Sequence, residues 1–290
     1  MNDLMENIKN LRLLTGAGFL DCKKALEENN NDVDSSVDYL RKKGLAKANK
    51  KLSREANEGA VGIYSNQNIT SILKINTETD FAAKNEVFLN FMDIIGQYSL
   101  EANNPAMDLK TFSELKFNEI TINDMFKEII SKIGENILLN KITFIKKDKT
   151  NSFISTYIHN SYKENIGKIA VVLHSQVEQQ NEKSKVFGKN LCMHIAASKP
   201  MAMNIEDLDD SLINKEKDVL LETIKSSGKP DNIVEKILEG KMKKFYSEST
   251  FMNQFYILDP DKTIKQVLED YSKENGKFEI INYELFVLGI

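Results

Sequence analysis

The chain has 290 residues, 41% hydrophobic and 28% charged, with only four prolines, which excludes a disordered polymer and leaves room for two domains, or one with appendages. A net charge of −4 excludes a globally basic nucleic-acid binder, so any basic contact surface must be local. Cys22 and Cys192 stand far apart and fit a reducing cytosol, with neither a metal-ligand spacing nor a disulfide framework.

The first 45 residues read as three short helices. Leu4, Ile8, Leu11 and Leu14 recur at helical spacing as one apolar stripe. Thr15-Gly16-Ala17-Gly18 stops that helix, and Asp21 is placed to cap a second one carrying Cys22, Ala25 and Leu26. The run Asn29 to Asp32 ends it, and Val33, Val37 and Leu40 mark a third, short helix. From Arg41 to Arg54 there are seven basic residues and no acid. This reads as a solvated linker or as an electrostatic contact for an acidic partner or RNA.

Strand chemistry follows. Residues 60–64 and 69–75, separated by Ser65-Asn66-Gln67-Asn68, predict a hairpin. A polar connection from Asn76 to Lys84 leads into a helix from about Glu86 to Leu100, ended by Asn103-Asn104-Pro105. A second round repeats the order, with strands at 141–146, 153–159 and 169–173 and a helix at 185–197, suggesting a duplicated α+β core. Helices at 214–226 and 232–248 flank Ser227-Gly228-Lys229-Pro230, the punctuation of a helical hairpin. A last helix (263–271) and a terminal strand (278–288) complete the chain.

Enzyme motifs do not appear. None of the five Gly-Lys pairs has a glycine five residues earlier, so there is no phosphate-binding P-loop, and no GxGxxG, HExxH or GxSxG occurs. No apolar run nears the roughly 18 residues of a membrane span, and no signal or transit peptide is expected. Read alone, Phe81 is a core anchor for the helix after it, Asp80 a cap near that helix, and His159 a polar strand end. Cys22 and His194 read as structural.

Thr15-Gly16-Ala17-Gly18-Phe19-Leu20-Asp21-Cys22-Lys23-Lys24-Ala25-Leu26 resembles the N-terminal signature of the elongation factor Ts family, with Phe19-Leu20 replacing the usual two methionines. Thr79-Asp80-Phe81-Ala82-Ala83-Lys84-Asn85 resembles its second signature, with Ala82 for the usual Val and Thr77 for the usual Cys. Ile133-Gly134-Glu135-Asn136-Ile137, His194 to Pro200, and Ser227 to Pro230 followed by residues 235–237 and 240–245 match further blocks in order. Residues 160–165 stand where family members usually have a short Gly-rich turn.

The resemblance implies an α+β fold with a ubiquitin-associated-like three-helix module at 1–45 and a basic linker at 46–58. It implies a duplicated core with antiparallel strands, at 59–140 and at 141–198 with 249–290, the latter including a C-terminal helical module. An antiparallel helical hairpin is inserted at 199–248. The implied function is guanine-nucleotide exchange on the translational GTPase EF-Tu, in the cytoplasm, by a protein that is not an enzyme and needs no cofactor or metal. Thr79, Asp80, Phe81 and Ala82 would enter the GTPase and dislocate its Mg²⁺, with Leu11, Phe19, Leu20, His159 and Leu268 as further contacts. The implied partner is EF-Tu, GDP-bound or nucleotide-free, with no membrane and no direct nucleic acid. A homodimer and a Tu–Ts heterotetramer are both left open. The alternative reading is an RNA- or ribosome-binding protein using residues 41–54.

Overall fold

A computed structural model describes residues 2–102, 104, 106–147, 151–226 and 231–289. The expected helix stop at Asn103 and Pro105 and the punctuation at Ser227 to Pro230 lie outside the described residues. The fold is mixed α+β, and the chain separates into two compact units.

The first unit takes in the chain through Lys146, Ile158–Ile169 and the residues from Phe286 onward. It opens with α1 (Asn2–Thr15), α2 (Phe19–Glu28) and α3 (Val33–Asn49). Gly16 takes a left-handed φ of 66° and donates to Arg12 O at 2.8 Å, closing α1. The α2 cap is Gly18, not Asp21, which instead pairs with Lys43 at 3.1 Å. Asp32 caps α3 by accepting from Ser35 N at 2.7 Å. Ile8, Leu11, Cys22, Ala25, Leu26 and Leu40 are the buried centre of these helices. Leu14 leaves the expected stripe and is exposed. The third helix does not stop at Leu40 but runs to Asn49, through most of the basic segment. At Gly44 this helix comes close to Ser131, which a Cβ there would meet.

Next come β1 (Glu58–Ser65) and β2 (Ile69–Thr77), α4 (Asp80–Ala83), α5 (Glu86–Ala102), α6 (Leu109–Glu114), the short pair β3 (Lys116–Phe117) and β4 (Ile120–Thr121), α7 (Ile122–Ile133) and β5 (Ile137–Lys146). The β1–β2 hairpin runs from Glu58↔Thr77 to Ser65↔Thr70. Asn66 shapes its turn by accepting from Asn68 N and Ile69 N, both at 2.9 Å. The other edge of β2 is taken by β5, antiparallel, over nine residue pairs. The expected pairing of 141–146 with 153–159 is therefore not made. Ile142, Phe144 and Ile145 of β5 are buried in this first sheet, while β6 (Ser152–His159) lies in another. With β7 (Ile166–Gly167) on β1, the order is β5-β2-β1-β7, and all nine residues of β2 are buried. Helix α5 packs on this sheet, with Gly96 against the ring of Tyr64.

The second unit holds residues 147–157 and 170–285. Strand β6, β8 (Ile169–Val177) and β11 (Phe278–Val287) form a sheet of order β11-β8-β6. Between β8 and β11 come α8 (Glu182–Ser198), α9 (Asp210–Ser226), α10 (Asp231–Ser249), the pair β9 (Phe255–Tyr256) and β10 (Asp259–Thr263), and α11 (Ile264–Asn275). Helices α9 and α10 contact each other. Phe187 stacks on Tyr271 at 4.0 Å, with Phe278 edge-on to Phe187 at 5.0 Å. His194 is fully buried on α8. Its Nδ1 accepts from Ile257 N at 3.3 Å, so the ring proton sits on Nε2 and is donated to Gln254 Oε1 at 3.0 Å.

Gly96→Ala sets a helix-propensity gain of up to about 1 kcal/mol against overpacking costs of about 1–3 kcal/mol. Because the Cβ would meet a buried ring, a net loss is expected as a lower urea midpoint. Burial lowers the His194 pKa, only partly offset by Gln254. The unfolded chain therefore binds this proton more readily than the folded one. Stability from this site is complete above the ordinary histidine value of about 6.5 and is lost as pH falls below it. Urea titrations at pH 7.5 and 5.5 are expected to show a larger acid loss for the wild type than for His194→Gln.

Candidate functional site

At the end of β2 the backbone turns into a single helical turn. Thr77 Oγ1 donates to Thr79 O at 2.7 Å. Thr79 is extended (φ −126°, ψ 158°), and its hydroxyl accepts from Ala82 N at 3.2 Å, which makes Thr79 the cap of α4 in place of Asp80. Asn85 opens α5, its side chain accepting from Val87 N at 2.8 Å and its carbonyl from Leu89 N at 3.0 Å. The Thr-Asp-Phe-Ala-Ala-Lys-Asn stretch is thus two caps around one turn. So short a helix has one face to bury, and Ala82 and Ala83 take it against β1 and β2. Phe81 points the other way and is 83% exposed. Its reading as a core anchor is overturned by the alanines that fill the core side.

A second turn grips this one. Gly134 ends α7 with a left-handed φ of 89°. Glu135 then accepts Thr79 N on Oε2 at 3.0 Å and Thr79 Oγ1 on Oε1 at 2.7 Å. In return Asn136 N donates to Glu78 Oε1 at 2.6 Å. Asn136 is buried and donates its side-chain amide to Arg54 O at 2.6 Å, while Lys51 donates to Gly134 O. Glu135 was visible in the sequence only as a member of a matched block; its partner lies 56 residues away and no local pattern announces it.

The charges beside the turn are paired. Asp80 meets Lys84 at 2.7 Å. That hydrogen bond, with the charges of Lys84 and Lys168, holds the Asp80 carboxyl below the usual carboxylate range. Lys168 N donates to His159 O at 3.1 Å. Gly167 allows this approach, since a Cβ there would come within 2.8 Å of His159 O. His159 itself is exposed. The departing turn is held by Lys163, which donates to Asn90 at 2.8 Å and to Asp93 at 2.9 Å, and Asp93 also accepts from Tyr64 at 3.1 Å. Burial pushes the Asp93 carboxyl up, and the bonds from Lys163, Asn165 and Tyr64 outweigh it and hold its pKa low.

The remaining site residues divide by burial. Leu20 is 78% exposed and Phe19 partly so, together with Leu14 and with Leu13, which the periodicity did not single out. Leu11, Ala82 and Leu268 are buried. Of the basic run, Arg41 pairs with Glu128 at 2.9 Å, Lys43 with Asp21 and Arg54 with Glu78 at 3.5 Å. Among the described residues no cluster of His, Cys, Asp and Glu could hold a metal ion.

Exposure predicts how the two apolar residues respond to truncation. Phe81→Ser is expected to leave the free energy of urea unfolding within about 0.5 kcal/mol of wild type. Leu11→Ala is expected to lose about 2–5 kcal/mol in the same measurement.

The family model described as Elongation factor TS matches residues 78–290. Elongation factor Ts of Bartonella tribocorum is 38% identical over 285 residues, covering 97% of this chain and 91% of the relative. That of Bartonella henselae is 38% identical over 283 residues, with the same coverage. That of Ehrlichia ruminantium (strain Welgevonden) is 37% identical over 287 residues, 97% of each chain. With the family model matching most of the chain and these relatives aligned along nearly all of it, the chain belongs to the elongation factor Ts family.

Proposed function

We propose that this translation elongation factor promotes GDP release from EF-Tu by pressing Phe81 into the GTPase, with Asp80 beside it at the contact. The observation that carries the reading is a large aromatic side chain, 83% exposed, on one helical turn whose other face is buried. An exposed phenylalanine on a pinned turn has contact area to offer and little freedom to lose.

Burying such a side chain is worth roughly 1.5–3 kcal/mol. If its pocket exists only when helices of the GTPase nucleotide domain shift, that energy favours the shifted state. The shift disturbs the carboxylate and water shell of the Mg²⁺ that holds the nucleotide phosphates. With the ion displaced, phosphate charge is poorly compensated and GDP departs. Linkage makes the effect mutual: the factor lowers GDP affinity by the ratio by which GDP lowers affinity for the factor. A ratio of about 10⁴ requires about 5.5 kcal/mol, more than Phe81 alone supplies. Phe19 and Leu20, with Leu13 and Leu14, are further exposed apolar side chains of the first unit, and His159 is exposed as a further contact.

The work is done on EF-Tu, GDP-bound and then nucleotide-free, in the cytoplasm. No helix among the described residues is long and apolar enough to cross a membrane. The RNA-binding alternative loses support because Arg41, Lys43 and Arg54 of its basic segment already face carboxylates of this chain.

Release of a fluorescent GDP analogue from EF-Tu tests the proposal. Wild-type protein is expected to accelerate release, and Phe81→Ala to lose about 10- to 100-fold of the acceleration, the equivalent of about 1.4–2.7 kcal/mol. Full acceleration by Phe81→Ala would remove the wedge assignment, and no acceleration by the wild type would remove the exchange function.

A further inference from the structure

We infer that Glu135 is a positioning residue for Phe81, acting through the cap of its helical turn. The inference rests on the exchange function proposed above and adds a residue to it. One turn of helix is unstable by itself, since its nucleation is costly and few hydrogen bonds repay it. The orientation of Phe81 must therefore be imposed by tertiary contacts, which enter at the buried alanines and, by hydrogen bonds, at Thr79.

The Thr79 hydroxyl has one proton and two lone pairs. Capping requires a lone pair to face Ala82 N, which lies 3.2 Å away. Glu135 secures that arrangement by accepting the hydroxyl proton at 2.7 Å, on the oxygen that does not accept Thr79 N. Both bonds end on a carboxylate and are of the stronger, charge-assisted kind. The chain on either side of Glu135 is itself held, because Asn136 is tied to Glu78 and to Arg54 O and Lys51 reaches Gly134 O. The two turns thus exchange acids: Glu135 holds residue 79, and Glu78 holds residue 136.

Glu135→Gln keeps the shape and replaces one acceptor oxygen by an amide donor. That donor faces either Thr79 N–H, leaving two donors opposed, or the hydroxyl, whose proton then loses its acceptor and no longer fixes a lone pair toward Ala82 N. Either outcome weakens the cap while α5, with its own cap at Asn85, is untouched.

Two measurements test this. GDP-analogue release from EF-Tu at saturating factor is measured for wild type, Glu135→Gln, Phe81→Ala and the double variant. Glu135→Gln is expected to reduce the acceleration about tenfold, and to have little further effect once Phe81 is alanine. Amide hydrogen exchange of the free protein is expected to quicken at Ala82–Lys84 and to stay unchanged along α5. Thr79→Val, which removes the hydroxyl and leaves Glu135 in place, is expected to reproduce both effects and serves if Glu135→Gln does not fold. Wild-type acceleration by folded Glu135→Gln, or an equal loss in the Phe81→Ala background, would overturn the positioning role while leaving the exchange function standing. Unchanged protection of Ala82–Lys84 would overturn it too. Failure of the wild type itself to accelerate release would instead overturn the exchange function, and the positioning role with it.

Discussion

Strand β2 is hydrogen-bonded along both edges, to β1 and to β5, and every one of its residues is buried. A strand so enclosed has no freedom of register, because a slip of one residue would exchange its faces across the sheet. Its polar members are held in place as well: Lys74 donates to Val287 O at 3.0 Å and Asn76 to Ala56 O at 2.8 Å. The fixed end of this strand at Thr77 is what the Thr79–Phe81 turn is built on. Strand β5 reaches the same end from the Glu135 side, with Ile137 opposite Thr77. One ladder therefore places both halves of the gripping contact.

The elements legible in the sequence are those set by local chemistry. The apolar spacing of α1, the glycine stop at Gly16, the Asn66 turn and the helix after Asn85 all follow from neighbours within a few residues. What was not legible depended on distant partners. The pairing of β5 with β2, and the place of β6 in the other sheet beside β8, are set by contacts far apart in sequence. The basic run continues α3, and its packing on α7 is close at Gly44, where glycine reads locally as a break. Leu14 matched the spacing of a buried stripe and yet stands exposed, because a period says which residues share a face and not where the neighbouring helix ends.

The candidate site was legible by its resemblance and misread by its chemistry. A phenylalanine between a strand and an amphipathic helix is ordinarily core, and only the pair Ala82-Ala83 hints that the core side is already filled. The cap was assigned to Asp80 where Thr79 holds it, since either residue type can cap and only the hydrogen bond to Ala82 N decides which one does. Glu135 was invisible as a functional residue for the same reason that β5 was misplaced: both act across the ladder.

The rigidity of the Phe81 turn has a kinetic meaning. A side chain offered on a flexible loop must be ordered when it meets its target, and that cost appears either as slow productive encounter or as weak hold. Here the ordering is completed during folding, by Thr79, Glu135 and the buried alanines. A collision that orients the partner correctly finds the aromatic ring already in place. In the proposed exchange, the speed of capture is then governed by diffusion and orientation, and adjustment is left to the partner.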